Sequence, residues 1–186
     1  QSANIAKETN IENLIDFLYP IQINNSKEYQ RLLAIQKLKA KDPSNKKVIK
    51  ALIYLVQKTQ ESDIFSEATK ALEEIALVNS QAQLSLVQLL EDTNKGYIRL
   101  EAAKILVKTA AEHKHEITTT ILDLFMNFDS KFISPSWIEY NEYTKSDYYS
   151  EFEDLLEETA VDNLQAIETL IKLLFQEQDY HRKITS

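Results

Sequence analysis

The chain has 186 residues, one glycine, three prolines, no cysteine and a formal net charge of −8. Glycine-rich loops cradle phosphates and thiols supply disulfides, nucleophiles and soft metal ligands, so this composition excludes a glycine-rich nucleotide loop and all cysteine chemistry. The shortage of turn-forming residues disfavours strand-rich folds and favours helices joined by polar loops.

The charge is distributed unevenly along the chain. Residues 1–60 carry ten Lys and Arg against five Asp and Glu, whereas residues 61–186 carry eleven against twenty-four. Because this acidic excess repels phosphates, we expect no nucleic-acid partner. No apolar run approaches the roughly 18 residues of a membrane span, and no signal-like segment opens the chain, so we expect a cytoplasmic protein without a membrane partner.

Apolar residues recur at three- and four-residue spacing, which is typical of one face of a helix. The first predicted helix lies at about residues 10–19. Four helix pairs follow, at about residues 27–59, 63–92, 97–127 and 148–177. An insertion at residues 128–147 separates the last two pairs. Asn45, Asn79 and Asn163 each precede a second helix and are predicted N-caps.

The helix pairs repeat with a period of 34 residues. Equivalent positions hold the same residue type in three consecutive pairs: Ala34, Ala68 and Ala102, then Leu38, Leu72 and Leu106. A shift of 84 residues superposes residues 72–76 on residues 156–160, which relates the last pair to the others. One pair cannot bury its apolar face alone, so the repeat predicts an all-α solenoid of stacked antiparallel helix pairs in a single domain.

The helix at residues 10–19 corresponds to the second half of a unit whose first half is missing. Its apolar residues therefore lack a partner helix within the chain by this comparison: Ile11, Leu14, Ile15 and Leu18. We expect from this half repeat that the sequence is a fragment of a longer chain.

Several segments resemble a known family of helical repeats. Residues 65–76, FSEATKALEEIA, and 98–106, IRLEAAKIL, resemble the first helix of HEAT repeats of the phycobilisome-lyase type. Residues 82–90 and 163–174 resemble the second helix of such repeats. The Thr-Gln and Thr-Asn turns at Thr59 and Thr93 are similar to those of HEAT arrays found C-terminal to bacterial, especially cyanobacterial, NACHT-family NTPases.

The resemblance implies a protein-binding scaffold without catalytic residues, cofactor or metal. It would be a sensor or regulatory part of a larger NACHT-type NTPase, whose chemistry lies elsewhere. The alternative is a protein similar to phycobilin lyases, in which a HEAT surface positions a bilin for attachment to a phycobiliprotein. A HEAT-fold DNA glycosylase needs a basic groove, which the acidic balance of residues 61–186 disfavours.

Aromatic residues are concentrated around the insertion. The single tryptophan and four tyrosines lie between positions 137 and 149. Long loops rich in Tyr and Trp suit protein recognition, although these rings could instead pack onto the third and fourth pairs. We predict a protein-binding surface formed by Trp137, Tyr140, Tyr143, Tyr148 and Tyr149.

Three clusters of charged residues have simpler explanations as solvated surface. His113 and His115 lack a third metal ligand, and the carboxylates at residues 151–158 lack the turn glycine of a calcium loop. Lysines around the first inter-helix turn could bind phosphate or an acidic partner, although charge runs usually cover solvated faces. These lysines are Lys37, Lys39, Lys41, Lys46, Lys47 and Lys50.

Overall fold

The computed structural model describes residues 5–19, 28–92, 95–128 and 145–160, together with residues 164, 167 and 168. This part of the chain contains eight α-helices and no strand, which confirms the all-α prediction. The helices are α1 (Ile11–Asp16), α2 (Glu28–Lys41), α3 (Lys46–Lys58), α4 (Ser62–Ala76), α5 (Ser80–Asp92), α6 (Gly96–Thr109), α7 (Lys114–Met126) and α8 (Lys145–Thr159). None of them is long and apolar enough to cross a membrane.

Three complete helix pairs occupy the ranges predicted for the first three repeats. They are α2 with α3, α4 with α5, and α6 with α7. Helix α8 is the first helix of the pair predicted at residues 148–177, and it begins at Lys145, within the predicted insertion. Residues 129–144 and most of the second helix predicted for that pair lie outside the described residues.

Each helix pair packs against the next one along the chain. The first helices α2, α4, α6 and α8 contact one another in that order, and the second helices α3, α5 and α7 do the same. The leucines that the 34-residue shift aligns are fully buried, and the aligned alanines are at most 2% exposed. Each pair therefore buries its apolar stripe against its neighbours, and one apolar core runs from Ile5 to Ala160.

Two of the three predicted N-caps are confirmed. The Asn45 side-chain oxygen accepts a hydrogen bond from Lys47 N at 2.9 Å. The Asn79 side chain accepts from Gln81 N at 2.9 Å and from Ala82 N at 3.1 Å. These bonds satisfy amides that the first helical turn leaves without a partner. Asn163 lies outside the described residues.

Two arginines form ion pairs within this packing. Arg31 Nη1 on α2 lies 2.7 Å from Glu61 Oε1, directly before α4, and Arg31 is only 1% exposed. Arg99 Nη1 on α6 lies 2.6 Å from Asp123 Oδ2 on α7, and its Nε donates to Leu90 O at 2.7 Å. These contacts fix the position of one helix relative to the next.

The expectation that α1 lacks a partner within the chain is wrong for most of its apolar residues. Leu14, Ile15 and Leu18 are buried, because α1 packs against both α2 and α3. Ile5 joins the same core, and Ile11 is partly buried against it. A second helix also packs against the unit that follows it, as α3 does against α4 and α5, and the same kind of contact buries α1.

Candidate functional site

A groove of about 400 Å³ lies between α3 and α5, the second helices of two consecutive pairs. Helix α3 contributes Lys50, Tyr54 and Gln57, which are three or four residues apart and so share one helical face. The opposite face of α3 carries the buried residues of the core. The same periodicity therefore builds the core and leaves a mixed face outside it, in which the partly buried Ile53 lies beside Lys50, Tyr54 and Gln57.

Helix α5 forms the opposite wall in the same way. It contributes Gln81, Ser85 and Gln88, which again follow helical spacing, and the buried Leu89. Gln88 aligns with Tyr54 under the 34-residue shift, so the two walls present equivalent positions of consecutive repeats. The packing of α3 against α5 brings these two faces together.

Two tyrosines form the aromatic part of the groove. The ring centroids of Tyr19 and Tyr54 lie 4.5 Å apart, with 44° between the ring planes. Tyr19 is 38% exposed, so part of its ring faces the groove and solvent. Burial raises the pKa of Tyr19 above the usual value, and the neighbouring Tyr54 raises it further. Both conditions keep the Tyr19 phenol neutral, so this pair offers an aromatic surface with a polar edge.

Three side-chain amides in the groove make no hydrogen bond within the described part of the chain. They belong to Gln57, Gln81 and Gln88. Gln83 lies on the same helix as Gln81 and Gln88 but does not line the groove. Its Nε2 donates to Ala76 O and to Thr109 O, both at 2.8 Å. Gln83 is thus used to hold the fold, whereas the three groove amides remain available to a ligand.

Among the described residues of the lining, Lys50 is the one with a charged side chain. It is exposed and makes no ion pair within the described residues. Helix α3 contains four lysines and no Asp or Glu, and only Lys47 forms an ion pair there, with Glu12 at 2.6 Å. The described part of the lining holds no carboxylate and no histidine, so its groups can hydrogen-bond, stack and attract an anion.

The predicted aromatic surface is only partly within the described residues. Trp137, Tyr140 and Tyr143 lie outside them. Tyr148 is buried, with its ring 5.6 Å from that of Phe128. Tyr149 is partly buried, with its ring 5.1 Å from that of Phe125 on α7. These two tyrosines thus pack onto the third pair, and the binding role of the whole surface stays a prediction.

Most of the predicted lysine cluster holds neighbouring segments in place. Lys37 Nζ donates to Ala6 O at 2.6 Å and to Glu8 O at 3.0 Å, and Lys41 Nζ donates to Thr9 O. Two further lysines form ion pairs with other helices: Lys39 with Glu74 and Lys47 with Glu12. Lys46 and Lys50 are exposed without such contacts in the described residues, and only Lys50 lines the groove.

The histidines and carboxylates occupy separate places. His113 lies in a 3-10 turn, with Nδ1 3.5 Å from Glu116 Oε1, and His115 lies in the first turn of α7. On α8, Glu151 Oε2 lies 3.3 Å from Lys104 Nζ, in a smaller groove of about 280 Å³ between α6 and α8. Burial raises the pKa of Glu151, although Lys104 opposes this shift. No described group of three His, Cys, Asp or Glu could hold a metal ion.

Comparison of the chain with protein-family models, curated proteins and solved structures finds no match. Sequence analysis also missed the groove between α3 and α5, because polar residues at helical spacing resemble any solvated helix face. The available signal was an aromatic residue, Tyr54, at a position where polar residues are usual, with Gln88 at the equivalent position of the next repeat.

Proposed function

We propose that this protein is a non-catalytic interaction module that binds a protein segment in the groove between α3 and α5. The observation that carries the proposal is the set of unused binding groups on two adjacent helices. Three side-chain amides and one lysine that have no partner in the described part of the chain line the same groove as a tyrosine pair. Such a combination of aromatic and hydrogen-bonding groups is typical of protein-binding surfaces.

The architecture that we propose is a solenoid of HEAT-type helix pairs. The ordered contacts between consecutive first helices and between consecutive second helices support it. The burial of equivalent leucines and alanines in each pair supports it as well. A solenoid exposes one long face of second helices, and repeat proteins use such faces to bind extended partners. The α3–α5 groove lies on that face.

The wider context that we propose is a regulatory or sensor part of a larger, cytoplasmic NACHT-type NTPase. The HEAT-like segments and the Thr-Gln and Thr-Asn turns support this context. The aromatic surface predicted around Trp137 would then add a second contact for the same or another partner.

We expect the purified chain to hydrolyse no ATP above the rate of a buffer control. A colorimetric phosphate assay with ATP and magnesium measures this directly. Hydrolysis that copurifies with the chain through two chromatographic steps and is lost on unfolding would contradict the proposal of a non-catalytic module.

We expect peptides selected from a random displayed library to bind the chain in this groove. Replacing Tyr54 with Ala should weaken the best peptide about tenfold, because the peptide loses an aromatic contact. The exposed Gln88→Ala variant should weaken it about fivefold, the usual effect of one lost hydrogen bond. Fluorescence anisotropy with labelled peptide measures both affinities.

Tyr29 provides the matched control for the peptide experiment. It is 71% exposed on α2 and does not line the groove, so Tyr29→Ala should leave the affinity unchanged. Gln88 is exposed, so its replacement should not disturb the core and separates lost binding from lost folding. Peptides whose affinity is the same for the wild type, Tyr54→Ala and Gln88→Ala would contradict binding in this groove.

A further inference from the structure

We infer that the segment bound in the α3–α5 groove is an extended peptide with an acidic side chain close to an aromatic or proline residue. This inference rests on the function proposed above and specifies the partner of the same groove. It follows from three properties of the lining: its amides, its charge and its tyrosine pair.

The amides favour a ligand with an extended backbone. Each glutamine side chain carries a donor and an acceptor, as a peptide unit does. An extended segment offers unpaired N–H and C=O groups along its length, whereas a helix has already paired most of its own. Gln57 on α3 and Gln81 and Gln88 on α5 can therefore hold an extended peptide from both sides without reading its sequence.

The charge of the groove favours a carboxylate on that peptide. Lys50 is the sole charged group among the described lining residues, and within that part of the chain it has no ion-pair partner. The opposite wall on α5 contributes no charged residue to the described lining, and the acids of this helix, Glu91 and Asp92, follow in its last turn. A lysine without a described carboxylate beside it favours an acidic side chain on the ligand, while the acidic excess of residues 61–186 disfavours polyanions.

The tyrosine pair favours a flat, apolar neighbour of the acidic residue. The Tyr19 and Tyr54 rings are tilted by 44° and present an aromatic wall near Lys50 in the same lining. Proline and aromatic side chains pack well on such rings, and proline also favours the extended backbone that the amides require. A single-stranded nucleic acid would stack on tyrosines too, but one lysine and no arginine is a poor set of phosphate contacts.

The test is a selection from displayed random peptides of about ten residues, which extended reach across two adjacent helices. We expect enriched peptides to share an Asp or Glu at a fixed distance from a proline or aromatic residue. The Lys50→Glu variant should bind the best such peptide about tenfold more weakly than the wild type does. The same variant should bind a peptide that has Lys in place of the acidic residue more tightly than the wild type does.

Lys58→Glu is the matched control, because Lys58 is exposed on the same helix but does not line the groove. It changes the net charge equally and should weaken the peptide less than twofold. If Lys50→Glu and Lys58→Glu have the same effect while Tyr54→Ala still weakens binding about tenfold, the acidic partner is wrong and the interaction module stands. If the affinity of no enriched peptide depends on Tyr54 or Gln88, both the acidic partner and the binding of a protein segment in this groove are wrong.

Two other occupants have their own signatures. A second copy of the chain would appear in sedimentation as a concentration-dependent dimer that Tyr54→Ala dissociates. A nucleic-acid partner would appear as micromolar binding of a fluorescent single-stranded oligonucleotide at physiological salt, lost in Lys50→Glu. Either result would overturn the peptide inference. A chain that stays monomeric and does not bind the oligonucleotide would support it.

Discussion

Replacing Leu72 with Ala is expected to lower the free energy of unfolding by about 3 kcal/mol. Leu72 is fully buried on α4, and α4 packs against α2, α3, α5 and α6. Its neighbours on both sides are fixed by further helices, so they can fill only part of the cavity. Urea unfolding followed by circular dichroism at 222 nm measures the change.

Leu84 is the matched control for this experiment. It lies on α5 and is 50% exposed, so Leu84→Ala removes the same atoms from a site that is already half in solvent. We expect a loss of about 0.5 kcal/mol or less for this variant. Equal losses for Leu72→Ala and Leu84→Ala would show that α4 does not form the centre of a stacked core.

Replacing Glu61 with Ala is expected to lower the free energy of unfolding by about 2 kcal/mol. The Arg31 guanidinium is 1% exposed, and the change removes the carboxylate that lies 2.7 Å from it while its other contacts remain. Loss of one partner from a fully buried pair costs roughly 3–5 kcal/mol, and the 17% exposure of Glu61 reduces this figure. The same urea titration measures it.

The exposed pair of Lys47 and Glu12 serves as the comparison, with its Nζ–Oε1 distance of 2.6 Å. Glu12→Ala should change stability by less than about 0.5 kcal/mol, because water screens this pair and the long side chains lose entropy in forming it. Joint replacement of Arg31 by Met and Glu61 by Leu should cost less than Glu61→Ala alone. A Glu61→Ala loss no larger than that of Glu12→Ala would argue against a stabilising role for the Arg31 pair.

The helices could be predicted from the sequence because their signals are local. Apolar spacing located the three complete pairs, and the short polar side chains of Asn45 and Asn79 marked two helix starts. The burial of Leu38, Leu72 and Leu106 followed from the repeat, since equivalent positions meet equivalent neighbours. These features depend on residues within one or two helical turns or on a regular period.

Some contacts between distant segments were not predicted. The repeat implied that α1 packs against α2 and α3, as α3 packs against α4 and α5, but the sequence analysis considered only the missing first half of that unit. Lys37 looked like part of a solvated charge run, yet its ammonium group holds the backbone of Ala6 and Glu8. A lysine with a structural partner and a lysine without one have the same sequence signature.

The groove between α3 and α5 also depends on contacts between helices that the sequence does not reveal. Gln83 and Gln81 differ by two positions on α5, but Gln83 bonds to two backbone carbonyls and Gln81 faces the groove. Helical geometry separates their directions, and only the packed neighbour decides which one has a partner. Sequence analysis placed the binding surface at Trp137, Tyr140 and Tyr143, outside the described residues, so the groove adds a second candidate surface.

The most direct test of binding in the groove between α3 and α5 is an NMR titration of nitrogen-15-labelled protein with a selected peptide. Side-chain amide signals report on glutamines individually once they are assigned. We expect the largest shifts at the side chains of Gln57, Gln81 and Gln88, with the Gln83 signals unchanged. Chemical-shift changes confined to α2, α4 and α6, with no change at the three glutamine side chains of the groove, would contradict the proposed site.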